Sequence, residues 1–240
     1  MKILKSVVIA LIICTGFQAN AHGKKVKGNG NVITENRTTT DYEKIAVGGS
    51  FDVTLVAGKE GKLTIEIEDN LSQYLITEVK EGTLKIKWKK GINVRTKKGV
   101  KITIPFKQIN AISLAGSGNI KTKDVISSHD LVLKLAGSGN LDLDVKASEL
   151  ITKIAGSGDM NINGNTTKLV CKIAGSGDFD SYDLSIQNLE AKIAGSGTLR
   201  ATINGKISAK IVGSGSISYK GNGTIELLKV VGSGYIAKKY

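Results

Sequence analysis

The chain has 240 residues, with 29 glycines, one proline and two cysteines, and its formal net charge at pH 7 is +13. This length allows one elongated domain or two small ones, and the glycines together with recurrent Val, Ile and Thr favour strands joined by glycine turns over helices. After the first 21 residues no stretch approaches the ~18 consecutive apolar residues of a membrane span, which excludes a transmembrane body.

The first 21 residues have the features of a secretory signal peptide. A short basic segment, Met1–Lys5, precedes the apolar run Ser6–Gly16 and the small-x-small cleavage site Ala19–Ala21. A lipoprotein signal ending at Cys14 is the alternative, but the residue before a lipidated Cys should be small and here it is Ile13. We therefore expect an exported protein that is periplasmic, outer-membrane-associated or secreted.

Removal of this peptide leaves one cysteine, Cys171, in the mature chain. A lone cysteine cannot form an internal disulfide, so packing and backbone hydrogen bonds must hold the fold together. Cys171 occupies the same repeat position as Leu133, which predicts a buried core residue rather than a reactive thiol.

Residues 22–110 are rich in predicted strands but have no clear repeat. One helical turn is predicted at Asn70–Leu75, and Val47–Phe51 has the composition of a degenerate glycine corner. We expect this region to be an irregular β-rich cap that protects the open edge of the repeats from strand addition. The predicted strands are Glu43–Gly48, Phe51–Ala57, Lys62–Glu68, Thr83–Lys89 and Val100–Phe106.

Residues 111–240 contain a repeat marked by Gly-Ser-Gly, whose seven copies lie 18 to 21 residues apart. Two residues before each copy and two residues after it, the side chain is always apolar. A period of two is typical of a strand with one buried face. The copies begin at Gly116, Gly137, Gly156, Gly175, Gly195, Gly213 and Gly232.

The repeat predicts an all-β protein, a parallel β-helix-like solenoid of about seven coils. Each coil would consist of a strand, a Gly-Ser-Gly corner, a second strand and a variable turn such as Ser127–Asp130 or Asn163–Asn165. Stacked coils lie about 4.8 Å apart and bury a shared core. The glycines allow positive φ at the corner, and we interpret the serines as structural because no His or Asp recurs beside them as a base.

Several segments make the chain similar to a known family. They are Gly30–Glu35, Ile45–Val53, Leu63–Leu84 and the corner segment Ile112–Gly118 with its later copies. Together these residues resemble the family described as "putative auto-transporter adhesin, head GIN domain" of Bacteroidetes-type bacteria, over roughly residues 30 to 240. The resemblance implies a parallel β-helix-like fold and an adhesive role, and it brings no catalytic residues.

Two groups of cations are the candidate binding residues. The first is a segment without acidic residues between Glu81 and Asp124, and the second is an outward row three residues before successive corners. Each is either a solvated surface that discourages sheet stacking or a site for anionic polysaccharide or lipid headgroups. The candidates are Lys85, Lys87, Lys89, Lys90, Arg95, Lys97 and Lys98 in the segment and Lys134, Lys153, Lys172 and Lys192 in the row.

A row of apolar residues five positions before the corners is a candidate interface. Val132, Ile151 and Val170 should face outward there. Stacked apolar side chains form a stripe, and such stripes on exported proteins mark contacts. We expect either the region before residue 110 or a partner subunit of a homo-oligomer to cover it.

Aspartates after the corners offer weaker alternatives. Gly-Ser-Gly-Asp is similar to calcium-binding repeats, but those have a nine-residue period and the Asp is not kept in other copies here. We therefore expect no metal and no cofactor. Nucleic acid is not expected either, because the protein is predicted to be exported and its aromatics are not interleaved with cations. The leading hypothesis is a non-enzymatic envelope binding or adhesion module without catalytic residues; the alternative is a polysaccharide-degrading enzyme on a β-helix.

Overall fold

A computed structural model describes residues 23–239 of the protein. The predicted signal peptide lies outside the described residues. Within residues 23–239, no helix is long and apolar enough to cross a membrane.

The N-terminal part of the described chain contains nine strands and one helical turn. The turn α1 (Asp69–Ser72) overlaps the predicted helical segment. The strands are β1 (Lys24–Lys27), β2 (Val32–Thr38), β3 (Lys44–Gly48), β4 (Asp52–Ala57), β5 (Lys62–Glu68), β6 (Leu75–Lys80), β7 (Thr83–Trp88), β8 (Ile92–Arg95) and β9 (Lys101–Phe106).

The remaining strands form parallel coils that confirm the predicted solenoid. In the central coils a single strand runs from one Gly-Ser-Gly corner to the next. The strands are β10 (Ala111–Gly116), β11 (Asn119–Thr122), β12 (Ile126–Gly137), β13 (Asn140–Gly156), β14 (Asp159–Gly175), β15 (Phe179–Gly195), β16 (Thr198–Ile203), β17 (Lys206–Gly213), β18 (Ser216–Lys220), β19 (Thr224–Val231) and β20 (Tyr235–Lys238).

The coils stack in the register that the repeat predicts. Ile154 pairs with Ile173, and Ile173 pairs with Ile193, so these three side chains lie one above another in the core. The neighbouring inward column runs from Leu133 through Thr152 to Cys171, all of which are buried. The apolar columns are therefore inside, as predicted.

The predicted turns opposite the corners are not breaks in the sheet. Asn163–Asn165 lies within β14 and keeps its coil-to-coil pairing with β13. The chain bends there because Gly164 has a φ of 115°. In β13 the inward positions also change spacing, from Ala147 to Leu150, where the strand turns onto the next face. The sequence places a turn here, but the strand continues through it because a bend inside a parallel ladder needs no polar loop.

Each corner uses its two glycines for different reasons. Gly175 has a φ of 121°, a region that disfavours side chains, and a Cβ on it would overlap the carbonyl oxygen of Gly156 in the preceding coil. A Cβ on Gly177 would overlap the carbonyl oxygen of Gly158, although the φ of Gly177 is not positive. The Ser176 side chain is exposed. The first glycine of the corner is therefore needed both for its positive φ and for the close approach of the two backbones. The second glycine is needed for the close approach alone.

The parallel stack extends into the region before residue 111. β3 and β4 pair in parallel with β10 and β11, so Val47–Phe51 forms a corner as its composition predicts. β7 and β9 add a further parallel layer on β3 and β4. Beyond this layer β5 and β6 pair antiparallel with β9 and β7, and β2 pairs antiparallel with β5. Antiparallel strands therefore cover this end of the solenoid.

Two buried carboxylates attach outer segments to this end. Glu68, fully buried, accepts hydrogen bonds from the backbone N–H groups of Gly30 (2.6 Å) and Lys97 (2.9 Å). Glu60 likewise accepts from the N–H groups of Tyr42 (3.1 Å) and Lys107 (3.0 Å). Each carboxylate satisfies two backbone donors from segments distant in sequence, which would otherwise lack partners.

Alanine substitutions in one corner test this division of roles. Gly175→Ala should lower the free energy of unfolding by at least about 2 kcal/mol, because positive φ alone costs roughly 1–2 kcal/mol and the overlap adds to it. Gly177→Ala should cost less, since only the overlap applies, and Ser176→Ala should stay within about 0.5 kcal/mol of the wild type. Urea unfolding measures all three. Equal stability of the Gly175 and Ser176 variants would contradict the geometry.

Cys171 provides a test of the strand register. Burial raises the pKa of its thiol to about 12, so the native protein holds neither an accessible nor an ionised sulfur. A water-soluble maleimide should modify it only after unfolding. The control is Ser176→Cys in a Cys171→Ala background, which places a thiol on the exposed corner and should react at once. Rapid modification of native wild-type protein would show that the register is wrong.

Candidate ligand-binding face

The predicted lysine row exists and is longer than the sequence indicates. Lys134, Lys153 and Lys172 are exposed and occupy paired positions of adjacent coils. The pairing continues in both directions along the outer surface of the sheet. In spatial order the whole row is Lys85, Ala46, Ser113, Lys134, Lys153, Lys172, Lys192, Lys210 and Lys229.

Stacking places the Cα atoms of these lysines at a short and regular spacing. Adjacent coils lie about 4.8 Å apart, and two unit charges at that distance repel by about 1 kcal/mol in water. One acidic side chain relieves the row: Glu190 accepts from Lys192 at 2.9 Å. That hydrogen bond holds the pKa of Glu190 below its ordinary value. The other lysines of the row remain a regular line of positive charge that favours anionic ligands.

Two rows of uncharged side chains flank the lysines. On the corner side, exposed alanines pair from coil to coil, and they are Ala115, Ala136, Ala155, Ala174 and Ala194. On the other side lies the predicted interface row of Val132, Ile151 and Val170, all half-buried. The next position of that row toward the N-terminal end is Ala111, and the position after it is Lys44. The function of the stripe as an interface stays a prediction.

A hollow interrupts the row near its N-terminal end. Ala46 and Ser113 take the place of two lysines there, and the small residues Gly48, Ala115 and Ala136 line the same depression. Its volume is about 370 Å³, within the usual range for small-ligand sites. Lys85, Lys87 and Lys134 form its charged rim. The hollow can therefore accept a group that is partly apolar and partly anionic.

The structure divides the predicted basic segment. Lys85 and Lys87 belong to the hollow, and Lys87 also lies 3.5 Å from Glu78. The remaining candidates do not line it: Lys89 and Lys90 follow β7, Arg95 ends β8, and Lys97 and Lys98 precede β9. The Lys97 ammonium donates to the carbonyl oxygen of Asn29 at 3.1 Å. The segment is thus not one cluster of cations around a single site.

Sequence reasoning missed the small residues of the hollow. Ala46 and Ser113 carry no charge and do not stand out as binding residues. Aligning the degenerate corner Val47–Phe51 with the later corners would have placed Ala46 in the lysine row. That alignment was the one available signal for the hollow.

The surface on the other side of the corners is a ladder of amides and carboxylates. Asn119 donates to Asp52 at 2.8 Å, and Asn140 donates to Asn119 at 2.9 Å. Arg200 lies 3.2 Å from Asp180. These groups satisfy one another along the stack. Among residues 23–239, no group of three or more His, Cys, Asp or Glu side chains is arranged to hold a metal ion.

The histidine that would be available to an enzyme lies at the surface. The side chain of His129 is 82% exposed, and its Nδ1 lies 2.9 Å from Oδ1 of Asp130, whose side chain is 68% exposed. The recurrence of lysine on six consecutive coils is the feature that favours a binding module over a polysaccharide-degrading enzyme.

Solved structures with a similar fold come from Bacteroides and Parabacteroides species. A putative adhesin from Bacteroides fragilis is 27% identical, with a TM-score of 0.83 over 89% of this chain and 100% of that one. A putative lipid binding protein from Parabacteroides distasonis is 29% identical, with a TM-score of 0.76 over 90% of this chain and all of the other. A putative adhesin from the latter species is 25% identical, with a TM-score of 0.73 over the same shares of the two chains.

The family comparison agrees with the structural one. None of the curated proteins compared with this chain matches it significantly. The family described as "putative auto-transporter adhesin, head GIN domain" matches residues 41–223, which include β3 and β4 and most of the solenoid. The lysine row and the hollow lie largely within that span. The chain therefore belongs to this adhesin family.

Proposed function

We propose that the protein is an exported, non-enzymatic module of the cell envelope and that its lysine row binds anionic groups there. The observation that carries this proposal is the register of the row, in which lysines repeat on six consecutive coils from Lys134 to Lys229. A line of cations at about 4.8 Å fits a surface or polymer that presents many negative charges.

The hollow favours lipid headgroups over a soluble anion. Its floor of small side chains can contact an apolar part of a ligand while Lys85 and Lys134 bind phosphate. A related structure is named a putative lipid binding protein, which supports the same choice. The acidic polysaccharides of the envelope are the other ligands that the row would accept. In either case the module would attach to the envelope through the face that carries the row.

Neutralising the row should weaken binding to anionic membranes. Each lysine near an anionic bilayer contributes about 1 kcal/mol, so Lys153→Ala, Lys172→Ala and Lys192→Ala together should weaken binding roughly a hundredfold. Co-sedimentation with vesicles of phosphatidylcholine and phosphatidylglycerol measures this, at low salt and again at high salt, where screening should remove most binding. Vesicles of phosphatidylcholine alone should not bind.

The matched control removes three lysines that lie outside the row. Lys25→Ala, Lys59→Ala and Lys239→Ala change the net charge equally and should leave most binding intact. If both triple variants lose the same affinity, net charge rather than the row explains binding. If the wild type does not sediment with anionic vesicles and is not retained by an acidic polysaccharide column, the proposal is wrong.

A further inference from the structure

A polar trough lies at the bends opposite the Gly-Ser-Gly corners. Its main part has a volume of about 540 Å³, and an adjoining hollow of about 390 Å³ shares three of its residues, Gln108, Ser128 and His129. The two spaces lie next to each other along successive coils, because Ser127 pairs with Lys146 and Lys146 pairs with Asn165. The trough therefore extends along the stack of coils.

Ser128 and His129 of this trough contact Asp130, but three other polar side chains form no hydrogen bond within the described part of the chain. On the amide and carboxylate ladder, Asn161 donates to Asp142 and Asn163 donates to Asp144. Asn165 belongs to the same strand, but its partner in the preceding coil is Lys146. An ammonium group accepts no hydrogen bond, so the Asn165 amide cannot donate to it as Asn161 and Asn163 donate to their partners. Within residues 23–239, the side chains of Gln108, Lys146 and Asn165 have no hydrogen-bond partner.

The chemistry of the lining indicates the class of ligand. Hydroxyl and amide side chains both donate and accept, as sugar hydroxyl groups do. Lys146 adds one positive charge to the main part, and Lys44 and Asp130 add one charge of each sign to the adjoining hollow. The Nε2 of His129 is available because Nδ1 already contacts Asp130. The half-buried side chains of Ala111 and Val132 line the adjoining hollow and can contact the C–H face of a sugar ring. No aromatic residue lines either space, so neither space offers a ring on which a nucleic-acid base could stack.

We propose that this trough binds an acidic oligosaccharide, with its hydroxyl groups on Gln108 and Asn165 and a carboxylate on Lys146. The site is separate from the lysine row and does not depend on the function proposed for that row. Lysines dominate the row, whereas neutral polar groups dominate the trough. The trough should therefore select a ligand by its hydroxyl groups as well as by its charge.

Calorimetric titration of the mature chain with three short ligands tests this selectivity. Tetragalacturonate carries hydroxyl groups and carboxylates, β-1,4-galactotetraose carries hydroxyl groups alone, and tetraglutamate carries carboxylates alone. Tetragalacturonate should bind at least about tenfold more tightly than either of the others, since each of them loses one class of hydrogen bond. Equal binding of tetraglutamate would show that charge alone acts, and it would overturn the assignment.

Substitutions separate the trough from the row. Gln108→Ala with Asn165→Ala, and Lys146→Ala alone, should each weaken tetragalacturonate binding about tenfold and leave vesicle binding unchanged. These side chains are exposed, so unchanged thermal melting should accompany the loss. The variant lacking Lys153, Lys172 and Lys192 should show the opposite pattern. If tetragalacturonate does not bind the wild type, or if only the row variant loses it, the trough is not the site.

Discussion

The close approach of glycines in adjacent coils is the constraint on which this structure depends. At each Gly-Ser-Gly corner the backbone of one coil lies against the backbone of the next, with no room for a Cβ on either glycine. The hydrogen-bond ladder runs through the corner as a result: Ser176 N–H donates to the carbonyl oxygen of Gly156 at 2.9 Å, and Ser196 N–H donates to that of Gly175 at 2.9 Å. A slip of one residue would place a larger residue at this contact and would also turn the apolar column outward.

The register of the coils in turn produces the lysine row and the rows that flank it. A repeat of nearly constant length places equivalent residues one above another, so a lysine that recurs in the sequence becomes a line of charge in the structure. The same rule produces the buried columns, the alanine row and the ladder of amides and carboxylates. Where the repeated residue changes, the surface changes with it, as at Ala46 and Ser113 in the hollow. The charge and shape of this face therefore follow from small departures within a regular scaffold.

Much of this architecture could be predicted from the sequence, because a glycine-marked repeat and a period of two are strong local signals. They identified the corners, the inward columns, buried Cys171 and the lysine row. They located the turn at Asn163–Asn165 but did not indicate that β14 continues through it, paired with β13 and with a shift of register toward β15. The hollow and the trough were missed for a different reason. Each combines residues from coils that are distant in sequence, such as Lys85 with Lys134 or Gln108 with Asn165, and no local pattern reports such proximity.

Disulfide trapping along the alanine row tests the register most directly. Ala155 and Ala174 are paired in adjacent coils at about 4.8 Å, within the range that a disulfide spans, whereas Ala155 and Ala194 are two coils apart at about 10 Å. In a Cys171→Ala background, we predict that Ala155→Cys with Ala174→Cys oxidises rapidly and within one chain. Ala155→Cys with Ala194→Cys should stay reduced under the same conditions. Rapid oxidation of the second pair, or none of the first, would contradict the stacked register on which the lysine row depends.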